Sequence, residues 1–360
     1  MSRRLTRADL DALPSYVPGR NPADLARELG LTEAIKLASN EVPYGPLPGV
    51  PEAILEAATQ VHRYPDMGVL ALRETLAARL DVGIERIATG CGSVALCEHL
   101  LKAATVPGDE VVFSWRSFEA YPIIAATAGV TAVKVPNKAD HGHDLDAMAA
   151  AVTDKTRVVF VCNPNNPTGT SVRRDELAAF IDRVGPEVLV ILDEAYREFV
   201  TDDEVPDGLT EFGDRPNVVV VRTFSKAWGL AGLRAGYLVA QPEVADAVRK
   251  VVTPFSTNAC VQAAALAALR AEDEMERRAA LVISERTRLT EELRKFVPDV
   301  PESQANFVWL PLAERSVEFG KHCESRGVIV RPFPGDGVRV TVGTPEENDT
   351  FLKVAAEAGL

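Results

Sequence analysis

The sequence predicts an α/β fold, a mostly parallel sheet with helices on both faces that forms a large domain, followed by a smaller α+β domain. Three observations carry this. From about residue 86 short apolar runs alternate with amphipathic stretches, the order in which strands and helices take turns through a parallel sheet. Several runs, RVVFVC (157–162), VLVILD (188–193) and NVVVVR (217–222), are apolar without period-two alternation, so both of their faces must be covered. Beyond Pro254 the texture changes to a long helical stretch and then to short strands, which marks a second unit.

The elements follow in order. Residues 1–45 contain Pro14, Pro18, Pro22 and Pro43, with Pro46 close behind, and read as an N-terminal arm. Residues 46–254 form the large domain, with strands RIATG (86–90), EVVFSW (110–115), TAVKVP (131–136), the three apolar runs above and AGYLVA (235–240). Between the first two lies a helix from Val94 to Ala104, where Val94, Cys97, Leu100, Leu101 and Ala104 recur at helical spacing. Residues 255–360 form the smaller domain. It opens on a helical region from Ala259 to Phe296, broken near Glu272 and Asp273. Strands ANFVWLPL (305–312), GVIVRPF (327–333) and VRVTVG (338–343) bracket a helix from Ser316 to Ser325, and a last helix closes the chain.

Composition narrows the function. With 360 residues, 46% hydrophobic and 25% charged, the chain is an ordinary globular protein of about two domains. Its 39 basic against 52 acidic residues give a net charge of −13, which repels nucleic acid and anionic lipid. The five cysteines are scattered without metal-ligand spacing, so neither a disulfide framework nor a metal site is expected. No secretory leader or membrane-length apolar run is seen, and a cytoplasmic protein is expected.

Four motifs carry chemistry. In TGCGSVA (89–95), Gly90, Gly92 and Ala95 fit G-x-G-x-x-A between a strand and a helix, where small residues let a phosphate approach free backbone N–H groups. Alone, this motif also suits a dinucleotide dehydrogenase using Asp109 or Glu110, or a tight turn without function. FVCNPNNPTGT (160–170) leaves a strand in a turn rich in side-chain amides, at the sheet end where ligands bind. LDEAYREF (192–199) ends an apolar strand on Asp193, Glu194 and Tyr196, and a carboxylate there wants a cation. In TFSKAWGLAGLRAGY (223–237), Lys226 sits in apolar surroundings that lower an amine's pKa, as a nucleophilic lysine requires, and Arg234 offers a guanidinium for phosphate.

In order, GCGS, NNPTG, DEAY and SKAWGLAGLR resemble the fold-type I aminotransferases that use pyridoxal 5'-phosphate, over nearly the whole chain. The likeness is strongest to the branch of histidinol-phosphate and aromatic amino acid aminotransferases, and ASNEVPYGP, RYPD, RSFEAYP and RVTVG extend it. The resemblance implies that Lys226 forms the Schiff base and moves the proton, and that Asp193 keeps the pyridine nitrogen protonated. It implies Asn166 and Tyr196 at the ring oxygen and Phe118 stacked on the ring, where relatives often carry Tyr. Phosphate would be held by Gly92, Ser93, Ser225 and Arg234, and by Tyr44 of a second subunit. Arg339 would grip the substrate carboxylate beside Asn166. Tyr16 would cover the substrate, or merely anchor the arm, and Arg331 would assist Arg339, meet a phosphate-bearing substrate or stand as a strand-end charge. A homodimer with shared sites follows.

The functional expectation is transfer of an amino group from Phe, Tyr or Trp to 2-oxoglutarate by a ping-pong cycle. GCGSVAL, RSFEAYPI and an apolar approach around Phe118, Trp115 and the Ala-rich helix after Asn258 support the aromatic choice. Histidinol phosphate is the alternative substrate, a phosphothreonine-type decarboxylase shares the scaffold, and a dehydrogenase or a non-catalytic regulatory domain leaves Lys226 without a role.

Overall fold

The computed structural model describes residues 19–359 together with residues 5, 6, 11 and 13. Helix α1 (Pro22–Leu29) starts where the Asn21 side chain accepts from the Ala23 N–H, and stops at Gly30 in the left-handed region (φ 67°). Strand β1 (Ile35–Lys36) then pairs in parallel with Val328 and Ile329, near the other end of the chain. The end of the segment read as an arm is thus stitched to the C-terminal unit.

Helices α2 (Val50–Ala58) and α3 (Leu70–Leu80) lead into the main sheet. Its elements run β2 (Ile87–Gly90), α4 (Gly92–Ala104), β3 (Glu110–Trp115), α5 (Ala120–Ala128), β4 (Thr131–Pro136), α6 (Leu145–Ala150) and β5 (Thr156–Cys162). They continue through α7 (Arg174–Val184), β6 (Leu189–Asp193), α8 (Gly208–Phe212), β7 (Val218–Thr223), β8 (Gly236–Val239) and α9 (Pro242–Val251). The seven strands lie in the order β2-β8-β7-β6-β5-β3-β4. Every neighbouring pair from β4 to β7 is parallel, whereas β8 runs antiparallel to both β7 and β2. AGYLVA is reversed because the stretch from Phe224 to Ala235 holds one short 3-10 turn and no helix long enough for a parallel crossover.

The unbroken apolar runs are covered twice. Phe113, Val158, Phe160, Ile191, Val219 and Val221 pack with Leu96 and Leu100 of α4 and Tyr121 of α5. The residues that alternate with them, Val112, Val159, Val161, Val190, Leu192 and Val220, pack with Leu177, Phe180 and Ile181 of α7. TAVKVP lies at the sheet edge and is largely open, as its mixed composition suits.

Beyond Pro254 come α10 (Ala259–Arg270) and α11 (Glu272–Arg294), parted at Ala271 where the break was expected. β9 (Phe307–Leu310), α12 (Ser316–Ser325), β10 (Val328–Ile329), β11 (Arg331–Phe333), β12 (Gly337–Thr341) and α13 (Pro345–Glu357) complete the chain. β11, β12 and β9 form an antiparallel sheet in that order, and β10 pairs with β1. Among the described residues no helix is long and apolar enough to cross a membrane.

Candidate active site

The C-terminal ends of β5, β6 and β7 open into a cavity of about 490 Å3, closed from the other side by residues 38–41 and by β11 and β12. In an open α/β sheet this is where free backbone and strand-end side chains converge on a ligand.

Asp193 ends β6 and is 2% exposed. Its Oδ2 accepts from the Tyr121 hydroxyl at 2.7 Å, while Oδ1 is buried with no hydrogen-bond partner. Burial pushes its carboxyl from 3.8 up to about 6, and the Tyr121 hydrogen bond opposes that rise. Lys226 follows β7, and its Nζ donates to the Ser39 carbonyl at 3.3 Å and lies 5.6 Å from the centre of the Tyr196 ring. Burial first, and the Arg339 guanidinium second, draw this amine down from 10.5 to about 7.

One end of the cavity is built for an anion. Gly92 opens the 13-residue helix α4 at φ 82°, where a Cβ would stand 2.5 Å from Arg234 Nη2, so glycine is needed both for the backbone and for the arginine's approach. Arg234 Nη1 donates to Ser225 Oγ at 3.0 Å and to the Ala231 carbonyl at 3.0 Å, and Ser93 stands beside it in the lining. Helix dipole, backbone N–H groups, two hydroxyls and a guanidinium converge there.

The opposite wall carries two arginines. Arg331 and Arg339 are register partners on β11 and β12, so their side chains leave the same sheet face. Arg339 donates to Asn166 Oδ1 and to the Ala38 carbonyl. Arg331 Nη2 is held by Glu119, at 2.9 Å and 3.1 Å to its two oxygens. The Tyr196 hydroxyl accepts from Asn40 Nδ2 at 2.9 Å, which leaves its own proton to donate. Phe118, Ile123 and Ile124 supply apolar lining.

Ser93, Phe118, Asn166, Asp193, Tyr196, Ser225, Lys226, Arg234, Arg331 and Arg339 therefore meet in one cavity, with Gly92 directly behind Arg234. Tyr44, expected at the phosphate of a second subunit's site, lines no part of its own chain's cavity: its ring packs against that chain's core with the Arg278 guanidinium 5.8 Å from its centre. Tyr16 lies outside the described residues. Trp115 and the Ala-rich helix do not form the apolar approach. Trp115 is flanked by Arg116 and Lys134, and α10 packs on α2. Sequence reasoning missed Asn40, Glu119 and Tyr121 as site residues, although the first lies in ASNEVPYGP and the others in RSFEAYP. The set fits pyridoxal phosphate: an unpartnered buried carboxylate oxygen for a ring N–H, a buried amine and an anion cradle. Among the described residues no group of three or more His, Cys, Asp or Glu is placed to hold a metal ion.

Similarity to known proteins agrees with this geometry. An aromatic amino acid aminotransferase of Streptomyces avermitilis is 55% identical over 348 residues, covering 97% of this chain and 96% of the relative. One from Thermobifida fusca is 53% identical over 349 residues, with 97% and 96% covered. Among solved structures, histidinol-phosphate aminotransferase from Sinorhizobium meliloti in complex with pyridoxal-5'-phosphate superposes with a TM-score of 0.86 at 27% identity, covering 99% of both chains. With the pattern of the family "Aminotransferase class I and II" running through residues 32–354, the chain belongs to the class I and II aminotransferases.

Proposed function

We propose that this chain is a pyridoxal-phosphate-dependent aromatic amino acid aminotransferase, a cytoplasmic homodimer that passes the amino group of Phe, Tyr or Trp to 2-oxoglutarate in two alternating half-reactions. The observation that carries the reading is the meeting, in one cavity, of the Lys226 amine, the unpartnered Oδ1 of Asp193 and the Arg339 guanidinium. Bound there, pyridoxal phosphate supplies an electron sink for the pair left when a substrate Cα loses its proton.

The protein's own groups do the rest. With its amine drawn down to about 7, Lys226 is substantially neutral at physiological pH and can take the Cα proton and return it. Asp193, buried and with Oδ1 unpartnered, would hold the ring nitrogen protonated when the cofactor is bound. Tyr196 donates to the ring oxygen, oriented by Asn40, while Arg339 fixes Asn166 and grips the α-carboxylate. The arginine's donors are aimed in advance, so little ordering remains when substrate arrives.

Aromatic preference draws on relatives above 50% identity that carry that name and on the apolar lining by Phe118, Ile123 and Ile124. Glu119 also offsets the charge of Arg331, the cation best placed for a substrate phosphate. The test compares kcat/KM for phenylalanine and for histidinol phosphate, with 2-oxoglutarate as acceptor. Phenylalanine is expected to lead. A preference of more than about tenfold for histidinol phosphate, roughly 1.4 kcal/mol in transition-state binding, overturns the aromatic assignment.

A further inference from the structure

The order of the sheet brings one residue to the back of the site that no strand-end motif contains. β6, β5 and β3 are neighbours, and α5 follows β3. Tyr121, the second residue of α5, therefore reaches back over β5 toward the end of β6. Its ring stacks on Phe160 of β5, with centroids 4.4 Å apart and planes 11° from parallel. Phe118 meets it edge-on at 5.5 Å and Phe113 lies 5.7 Å away, so the ring is held on several sides. Its hydroxyl ends 2.7 Å from Asp193 Oδ2. Tyr121 is fully buried, and burial raises its phenol well above the ordinary value, so the hydroxyl keeps its proton and donates.

We infer that Tyr121 is a positioning residue for the cofactor: by occupying Oδ2 of Asp193 it fixes the carboxylate so that Oδ1 faces the ring nitrogen, and it keeps that carboxylate ionised. The geometry is selective. A phenylalanine would fill the same aromatic cluster, so the change removes only the hydroxyl, which donates to Asp193 Oδ2 and also meets the Cys162 thiol at the end of β5. A buried carboxylate with a single side-chain donor is sensitive to losing it. The other titratable groups facing Asp193 are Cys97 from α4, Cys162 at the end of β5, Lys226 after β7, and Glu194 and Tyr196 on its own segment. Of these, burial raises both cysteines, Glu194 and Tyr196, and only Lys226 brings positive charge.

The inference rests on the pyridoxal phosphate reading, and the experiment keeps the two apart. Cofactor-free wild-type and Tyr121→Phe proteins, with matching circular dichroism, are titrated with pyridoxal phosphate by absorbance between pH 6 and 8.5. In Tyr121→Phe the affinity is expected to fall about tenfold at neutral pH, the size of one hydrogen bond to a charged group. The pH below which binding weakens is expected to rise, because the carboxylate, left with the Ala195 backbone donor and without the phenol, protonates more readily. In an Asp193→Asn background the same change is expected to matter less than twofold, since the group it acts through has gone. Affinity within twofold of wild type in the single variant, or an equal loss in both backgrounds, overturns the positioning role. Wild-type protein that takes up no pyridoxal phosphate removes the cofactor reading and this inference with it.

Discussion

Asp193→Asn separates what the carboxylate does in catalysis from what it costs the fold. Burial lifts its pKa from 3.8 to about 6, which corresponds to roughly 3 kcal/mol in favour of the protonated form within the native state. Because the folded value lies above the unfolded one, that stabilisation is complete below about pH 3.8 and is lost as pH rises through about 6. At pH 8 the cofactor-free protein therefore bears the whole cost of a buried charge. An amide removes the charge but inherits the position of Oδ1, which has no partner, and an unpaired buried N–H group returns about 1 kcal/mol of that gain. The cofactor-free variant is expected to be about 2 kcal/mol more stable than wild type at pH 8, a rise in Tm of roughly 2–3 °C for a chain of this length. Near pH 4 the advantage should vanish. Turnover of the loaded enzyme moves the other way, falling at least ~10²-fold while cofactor content is largely kept, because a neutral pyridine is a poorer electron sink. Scanning calorimetry at the two pH values and kcat on the loaded enzyme check both halves. A Tm gain of equal size at both pH values, or turnover within tenfold of wild type, refutes the reasoning.

Two further outcomes are expected. Lys226→Ala should fold, since it deletes a buried amine whose pKa is already drawn down, yet lose the covalent link to the cofactor. Borohydride reduction of wild type followed by peptide mapping should place the pyridoxyl group on Lys226, and a label elsewhere defeats the assignment. The active unit should be a homodimer: Leu55, Val61, Tyr64 and Met67 are all more than half exposed, and Tyr64, stacked on Phe255 at 4.5 Å, is 81% exposed. Sedimentation combined with activity at matched dilution tests this, and a monomer that stays fully active at assay concentration counts against shared sites.

What the sequence disclosed, and what it hid, divides along the range of the contacts. Asp193, Lys226 and Asn166 were legible because each lies at the end of an apolar strand or in the turn just beyond it, where a charge or amide contradicts the run before it and so signals a ligand. The phosphate cradle was legible for the same local reason, since Gly92 and Ser93 sit at one strand-to-helix turn. The direction of β8 was not, because an apolar strand reads alike in either sense and only the short connection after β7 reverses it. Tyr44 and Tyr64 both stand in motifs shared with the family, and nothing in their neighbours' identities says which ring is partly covered and which stays open; the packing of the first against the core beside Arg278 is a property of the folded chain. Tyr121 shows the limit most sharply. Read along the chain it is one aromatic in an apolar helix, and its partner is 72 positions away. Strand order alone puts them together, because inserting β5 between β3 and β6 lays Phe160 under a ring that spans the gap. A site residue that acts through another residue is therefore hidden from motif reading until topology is known, while one that meets the ligand announces itself where its strand ends.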